Sequence, residues 1–285
     1  MKKVLKVLKW LGIGIIVILI GVVCYIRFDR VLDKFIYSAN PPEEKFESIY
    51  KHQELFLNLK DKTKIHAALF QQDSIKPKAS VFIHLGNGMD LNQAQELFKP
   101  LIENGYQIFT YERRGYGGSS GNDDNSSVLR EDALEIFDQF ENLKEIKGTD
   151  VIIWGVSLGG IFATANAAER NDKIKGLIID SAFNSFPEVA KFYASQLHLE
   201  NYKWLIPILL NNDFPTNEEI KRVTKPVVIV HSSEDKMIPF EFGKDNYENS
   251  NKKSSEFWII KGQHAKGILN YTKEYISKFD KLLTK

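Results

Sequence analysis

Cysteine is almost missing from this chain of 285 residues, which holds one, Cys24. A single thiol excludes an intramolecular disulfide framework and a cysteine-rich zinc site. It does not identify the redox compartment, because a chain this long can bury a core without staples. An excess of either charge is missing as well. Lys and Arg number 38 against 37 Asp and Glu, a formal net charge of +1. Such a balance supplies no general attraction for nucleic acid, and no nucleic-acid partner is expected. Internal repeats and low-complexity tracts are absent. With 43% apolar and 26% charged residues the composition is that of a globular protein, not of a disordered one. The patterns GxxxxGK(S/T) and HExxH do not occur, and Gly115-Tyr116-Gly117 lacks the full dinucleotide fingerprint.

One long hydrophobic run is present, at the N-terminus. Trp10–Ile26 carries no charge and as a helix would span about 26 Å, slightly short of a bilayer core. Starting from Leu5 adds another turn and a half, with Lys6 and Lys9 able to snorkel. Trp10 and Tyr25 stand near the two ends, where interfacial aromatics belong. A cleaved signal peptide would show a shorter run and a small-x-small site, which Cys24-Tyr25-Ile26-Arg27 does not offer. Val23 stands where a lipoprotein needs a small residue. The run therefore reads as an uncleaved single-pass anchor rather than a signal peptide or a buried soluble helix. Lys2, Lys3, Lys6 and Lys9 precede it; Arg27, Arg30 and Lys34 follow, diluted by Asp29 and Asp33. Positive-inside counting places the remainder on the non-cytoplasmic side. Asn40-Pro41-Pro42-Glu43 reads as a linker, dividing an anchor over 1–40 from a globular domain over 41–285.

Beyond the linker, strands and helices alternate. Glu54–Leu59 and Lys64–Phe70 form a hairpin pattern around Lys60-Asp61-Lys62. Short apolar runs follow at Ser80–Leu85, Gln107–Tyr111, Val151–Trp154, Lys175–Asp180, Val227–His231 and Glu256–Ile260. Amphipathic stretches at Leu91–Asn104, Ser126–Leu143, Leu158–Arg170 and Gly267–Leu283 separate most of them. This alternation predicts a mostly parallel sheet covered on both faces. The segment between Asp180 and Pro226 has no strand and reads as an insertion with helices of its own, a cap over about 183–225.

The sharpest motif is Gly155-Val156-Ser157-Leu158-Gly159-Gly160, between a strand and a helix. That is the setting of a nucleophile elbow. The serine sits on a strained turn, and side chains two before and two after it would collide, so both are glycine. The helix it opens points its N-terminus at the site and favours developing negative charge. A serine hydroxyl needs a base, and the base an orienting acid. His198, His231 and His264 follow Ser157. His264 lies just after the last strand, at the same sheet edge as the elbow, and is the expected base. His198 falls in the insertion, and His231 ends a strand and reads as structure. Asp235, after the strand Val227–His231, is the expected acid, with Asp180 and Glu234 as alternatives.

Several segments together resemble the α/β-hydrolase superfamily, and within it the Bem46-like branch with ABHD13- and ABHD17-like members. They are Gly86–Leu91, Tyr111–Gly117, Gly155–Gly160, Asp180–Phe183, Asp235–Pro239 and Gly262–His264. The resemblance implies an α/β-hydrolase fold with a short helical cap, a Ser157–Asp235–His264 triad and no cofactor. One departure stands out. The family has His-Gly-Asn before the second oxyanion donor, whereas this chain reads His84-Leu85-Gly86-Asn87. Aligned on Gly-Asn, the backbone N–H groups of Asn87 and Leu158 form the oxyanion hole; shifted by one, Gly86 replaces Asn87. Glu112, in place of a commoner aspartate, reads as a structural partner for Arg114.

These readings converge on a membrane-anchored serine hydrolase that cleaves a carboxylic ester or thioester of a small or lipid-like acyl substrate through an acyl-enzyme. A serine peptidase of the same fold and a non-catalytic binding protein are the alternatives, and the complete set of triad residues argues against the second. Among Phe186, Phe192, Tyr193, Leu197, Trp204, Leu205, Ile206, Ile208, Leu209 and Leu210, some are expected to roof Ser157 and accept one acyl chain.

Overall fold

The computed structural model describes residues 2–37, 45–72, 76–122 and 125–284. Helix α1 (Lys2–Phe28) is followed by a 3-10 turn, Asp33–Phe35. Strands β1 (His52–Asn58) and β2 (Lys64–Phe70) form the expected hairpin. Then β3 (Ser80–His84), α2 (Leu91–Glu103), β4 (Gln107–Tyr111), α3 (Ser126–Glu141), β5 (Val151–Val156), α4 (Gly159–Glu169) and β6 (Gly176–Asp180) alternate strictly. The insertion holds α5 (Phe186–Gln196), a 3-10 turn over Glu200–Leu205, α6 (Ile206–Leu209) and α7 (Thr216–Glu219). It is followed by β7 (Val227–Ser232), α8 (Phe240–Asn249), β8 (Ser255–Ile260), α9 (Gly267–Asn270) and α10 (Thr272–Leu283).

The strands make one sheet in the order β1-β2-β4-β3-β5-β6-β7-β8. The pairs β1–β2 and β2–β4 are antiparallel; all others are parallel. β3 is the switch point: α2 leads from it to β4 on one side, and α3 returns the chain to β5 on the other. Loops leaving β3 and β5 therefore border the crevice where ligands collect in open α/β sheets. Alternation along each strand feeds two apolar layers. Val151 and Ile153 pack with Phe137 and Phe140 of α3 and Ala163 of α4, while Ile152 and Trp154 pack with Phe98 of α2 and Phe279 of α10.

Helix α8 has no counterpart in the sequence reading, since it buries only Gly243 and Asn246 and shows no clear apolar stripe. Its glycine is a packing requirement: a Cβ at Gly243 would stand 2.5 Å from the His231 ring. The last helical stretch is broken at Tyr271 into α9 and α10. Of the insertion, Phe214, Ile220 and Val223 are fully buried in the body, so the segment standing over the sheet edge is confined to about residues 186–210.

Helix α1 has no buried residue, and its most apolar stretch reaches a mean hydropathy of 2.6, long and apolar enough to cross a membrane. The linker Asn40–Glu43, and with it the division at 40/41, lies outside the described residues. The residues before it do not stand apart from the globular part. Asp33 is 2% exposed and accepts from Ser126 N–H at 2.9 Å, at the start of α3. Tyr37 is buried, donates its hydroxyl to Ser126 Oγ at 2.9 Å and meets Phe186 edge-on. Arg30 pairs with both Asp33 and Asp213.

Candidate active site

Ser157 occupies the turn between β5 and α4 with φ of 53°, a left-handed conformation that costs a non-glycine residue of order 1 kcal/mol or more. The surrounding glycines make the turn possible. A Cβ on Gly155 would lie 2.5 Å from the Gly159 carbonyl and from Ala163, and one on Gly159 would lie 2.0 Å from the His84 carbonyl of β3. The Ser157 N–H donates to the Asp180 carbonyl at 2.8 Å, which ties the turn to β6. Leu158 is the residue capping the N-terminus of α4, so the first-turn N–H groups of that helix lie beside the serine.

The structure brings Ser157, His264 and Asp235 into one chain of contacts. His264 Nε2 is 2.8 Å from Ser157 Oγ, and His264 Nδ1 is 2.6 Å from Asp235 Oδ2. A carboxylate can only accept, so Nδ1 carries the proton and Nε2 is left to accept from the serine hydroxyl. The Asp235 side chain is fully buried. Burial pushes its carboxyl up, but the hydrogen bond from His264 and those from the N–H groups of Ile238 and Met237 outweigh that and hold it below the usual carboxylate range.

The two other carboxylates considered for the acid do different things. Asp180 is fully buried and accepts from the Tyr275 hydroxyl and from Ser181 Oγ at 2.8 Å. Burial pushes its carboxyl up. Ser181 Oγ also accepts from Ala265 N–H at 3.3 Å, so Asp180 supports the His264 loop from below without touching the imidazole in a hydrogen bond. Glu234 accepts from Gly262 N–H at 3.0 Å and holds the other end of that loop. His231 is buried, with Nε2 donating to the Ile238 carbonyl at 2.9 Å, and burial pushes its pKa down. His198 lies exposed in the cap.

Asn87 follows the end of β3 beside Ser157, and its neighbour Gly86 would place a Cβ 3.7 Å from Ser157 Cβ. Arg113, Tyr116 and the Ile36 carbonyl help to hold this loop. Arg113, 5% exposed and stacked 4.5 Å from the Tyr116 ring, donates to the carbonyls of Leu85 at 2.7 Å and Gly86 at 2.8 Å. The Tyr116 hydroxyl donates to Asn87 Oδ1 at 2.7 Å. Asn87 Nδ2 donates to the carbonyl of Ile36 at 2.9 Å. His84 is buried beneath, between the Tyr111 hydroxyl and Asn166, and burial keeps it neutral. The expected Glu112–Arg114 pair does not form. Glu112 binds His66 at 2.8 Å and the N–H groups of Leu91 and Gly118, while Arg114 pairs with Asp132 and Asp61. The reason is steric: Gly117 leaves room for the Glu112 carboxylate, which a Cβ there would strike at 2.2 Å.

Above Ser157 opens a cavity of about 270 Å³. Phe186, Val189, Ala190 and Tyr193 line it at i, i+3, i+4 and i+7, one face of α5. Leu158, Phe183, Leu210, Met237 and Ile238 add to the apolar wall. Of the ten insertion residues expected to supply a roof, Phe186, Tyr193 and Leu210 line this cavity. Leu197, Trp204 and Ile208 are exposed instead. Val189 and Ala190 were legible from helical spacing around Phe186. Ile36 also lines the cavity, and no local signal marks it, because it comes from the segment just after α1.

Comparison with known proteins places this geometry in context. A family model for the alpha/beta hydrolase fold matches residues 80–217. The lysophosphatidylserine lipase ABHD12 of Macaca fascicularis is 33% identical over 162 residues, covering 53% of this chain and 40% of that protein. Alpha/beta hydrolase domain-containing protein 17B of Homo sapiens is 26% identical over 217 residues, covering 74% and 69%. The Pyrococcus furiosus esterase Pf2001 superposes with a TM-score of 0.66 at 16% identity, over 86% of this chain and 98% of that one. The match spans less than half the length of the lipase relatives.

Proposed function

The chain belongs to the α/β-hydrolase superfamily, and on that premise we propose that it is a serine hydrolase of single-chain acyl esters or thioesters. The observation that carries the reading is the contact chain Ser157 Oγ to His264 Nε2 at 2.8 Å and His264 Nδ1 to Asp235 at 2.6 Å, opening onto an apolar cavity. His264 takes the hydroxyl proton as Ser157 attacks the acyl carbonyl, and Asp235 stabilises the imidazolium that forms. The backbone N–H groups of Leu158 and Asn87 take the oxyanion, aided by the N-terminus of α4. His264 then returns the proton to the leaving group, and a water activated by the same imidazole releases the acid and regenerates Ser157.

A cavity of about 270 Å³ with one face of α5 along its wall suits one acyl chain, not the three of a triglyceride. The lipase relatives act, by name, on a lysophospholipid, which has a single acyl chain. Helix α1 supplies a membrane anchor that keeps the enzyme beside such substrates, with the catalytic domain on the non-cytoplasmic side by positive-inside counting. Labelling with a fluorophosphonate tests the core of this reading: the native chain labels and turns over p-nitrophenyl esters, and Ser157→Ala does neither. Labelling that survives in Ser157→Ala overturns it. Cleavage of a peptide amide with no ester turned over selects the peptidase reading instead.

A further inference from the structure

The roof has an outside as well as an inside. Leu197, Trp204 and Tyr202 are 68%, 65% and 61% exposed, and Leu199 and Ile208 are exposed too. The first four fall between α5 and α6 and Ile208 lies in α6, among few charges; Glu200 and Lys203 are on the same 3-10 turn as Tyr202 and Trp204. Large apolar groups gathered on one exposed segment mark an interaction surface. What lies next to it is the end of the apolar helix. Arg27, in the last turn of α1, donates to the carbonyls of Pro207 at 3.2 Å and Ile208 at 3.0 Å, and Asn211 donates back to the Arg27 carbonyl at 3.0 Å. The cap is thus hydrogen-bonded to the point where the apolar run stops. In a spanning helix that point sits at headgroup depth, where Trp and Tyr are enriched and an arginine is tolerated.

We propose that the outer face of the cap, Leu197, Leu199, Tyr202, Trp204 and Ile208, seats in the lipid leaflet that α1 enters. The surface then works with the proposed hydrolase site, on which this inference rests for its effect on turnover. Tyr193 and Met237, joined by a hydrogen bond of 3.0 Å, are both exposed and both line the cavity over Ser157. An acyl chain passes between the leaflet and the cavity along this edge without crossing bulk water.

The test uses the full chain reconstituted in phosphatidylcholine vesicles, carrying Trp10→Phe to silence the tryptophan in α1. Phosphatidylcholine brominated near the headgroup end of its acyl chains quenches part of the remaining emission, and Trp204→Phe removes that part. Emission from Trp204 that bromolipid leaves untouched overturns the proposal. In a second arm, Leu197→Ser with Trp204→Ser lowers turnover of a single-chain ester held in the vesicles by roughly tenfold, while p-nitrophenyl butyrate in solution is cleaved as before. Equal loss on both substrates, or a detergent-solubilised dimer that these substitutions dissociate, assigns the face to structure or self-association and overturns the proposal. Fluorophosphonate labelling of Ser157 keeps the two readings apart: an unlabelled chain whose Trp204 is quenched loses the hydrolase but keeps the docking surface.

Discussion

Ser157, Asp235 and His264 each stand on a loop that directly follows a strand, and the buried Asp180 and Ser181 and the exposed Glu234 support the Ser157 and His264 loops. Ile36, Val189 and Tyr193 reach the same cavity from above by another route, on a short segment after α1 and on one face of α5. The floor is positioned by the sheet's own ladder, by backbone hydrogen bonds such as Ser157 N–H to the Asp180 carbonyl, and by short side-chain ties from Glu234 and Ser181 to the His264 loop. The roof is positioned by side-chain contacts: Arg30 with Asp213, Asp33 with Ser126, Tyr37 with Ser126 and Phe186. A floor built on the sheet fixes where Ser157, His264 and Asp235 stand. A roof built on side chains can change its shape, or couple to what lies beside it, while Ser157, His264 and Asp235 keep their places.

The sharpest break between the two regions comes from the floor. Ser157→Ala should cost about 10⁴–10⁶-fold in turnover of a p-nitrophenyl ester with little change in melting temperature. Asp235→Asn should cost about 10⁴-fold in kcat, whereas Asp180→Asn should act mainly on stability, because it loosens the Tyr275–Asp180–Ser181 support. If Asp180→Asn proves the more damaging in kcat at equal stability, the acid has been misassigned.

The roof should respond more gently. A chain beginning at residue 29 keeps Asp33, Ile36 and Tyr37 and should hydrolyse soluble esters normally. A chain beginning at residue 45 loses the wall and the Asn87 contact, and kcat should fall about 10–100-fold through misplacement of that loop. Equal activity of the two chains would make the segment a mere tether. For acyl length, kcat/KM should rise about fourfold per methylene from acetyl to about octanoyl, and Val189→Phe should shorten the preferred chain. A flat series, or a strict preference for acetyl, would show that the cavity is not the acyl site.

The smallest effect lies far from the roof. Burial pushes the His66 imidazole down, but hydrogen bonds and charge from Glu112 and Glu54 outweigh it and raise it above its ordinary value. A raised folded value means the stabilisation is fully present below about pH 6.5 and is lost as pH rises through the folded value. Native protein should therefore melt about 2–4 °C above His66→Gln at pH 5.5, and the gap should shrink on going to pH 9. A gap that does not change with pH would show that His66 acts there by packing alone.

Much of the floor could be read along the chain. Of the eight strands among the described residues, six carry their own short apolar runs and β1 and β2 read as a hairpin, and the glycines flanking Ser157 announce a turn that only they can make. Asp235 and His264 were marked by their places after the last two strands. The roles of Asp180 and Glu234 were not, because a carboxylate after a strand looks alike in sequence whether it faces an imidazole, a buried tyrosine or a backbone N–H. Helix α8 lacks the stripe that would announce it, and Glu112 meets His66 rather than Arg114 because of the room left by Gly117, which has no signature in composition.

By itself, then, the sequence determined the layered sheet, the apolar N-terminal helix and the residues placed along one sheet edge, because each depends on local periodicity, turn chemistry or order along the chain. Only the tertiary structure decided that Asp235 and not Asp180 meets His264, that Arg113 holds the loop before Asn87, and that Ile36 belongs to the cavity. Those outcomes turn on which groups meet across separations of tens to hundreds of residues. Closing the fold sets such meetings by fit and hydrogen-bond satisfaction, which no short stretch of sequence encodes.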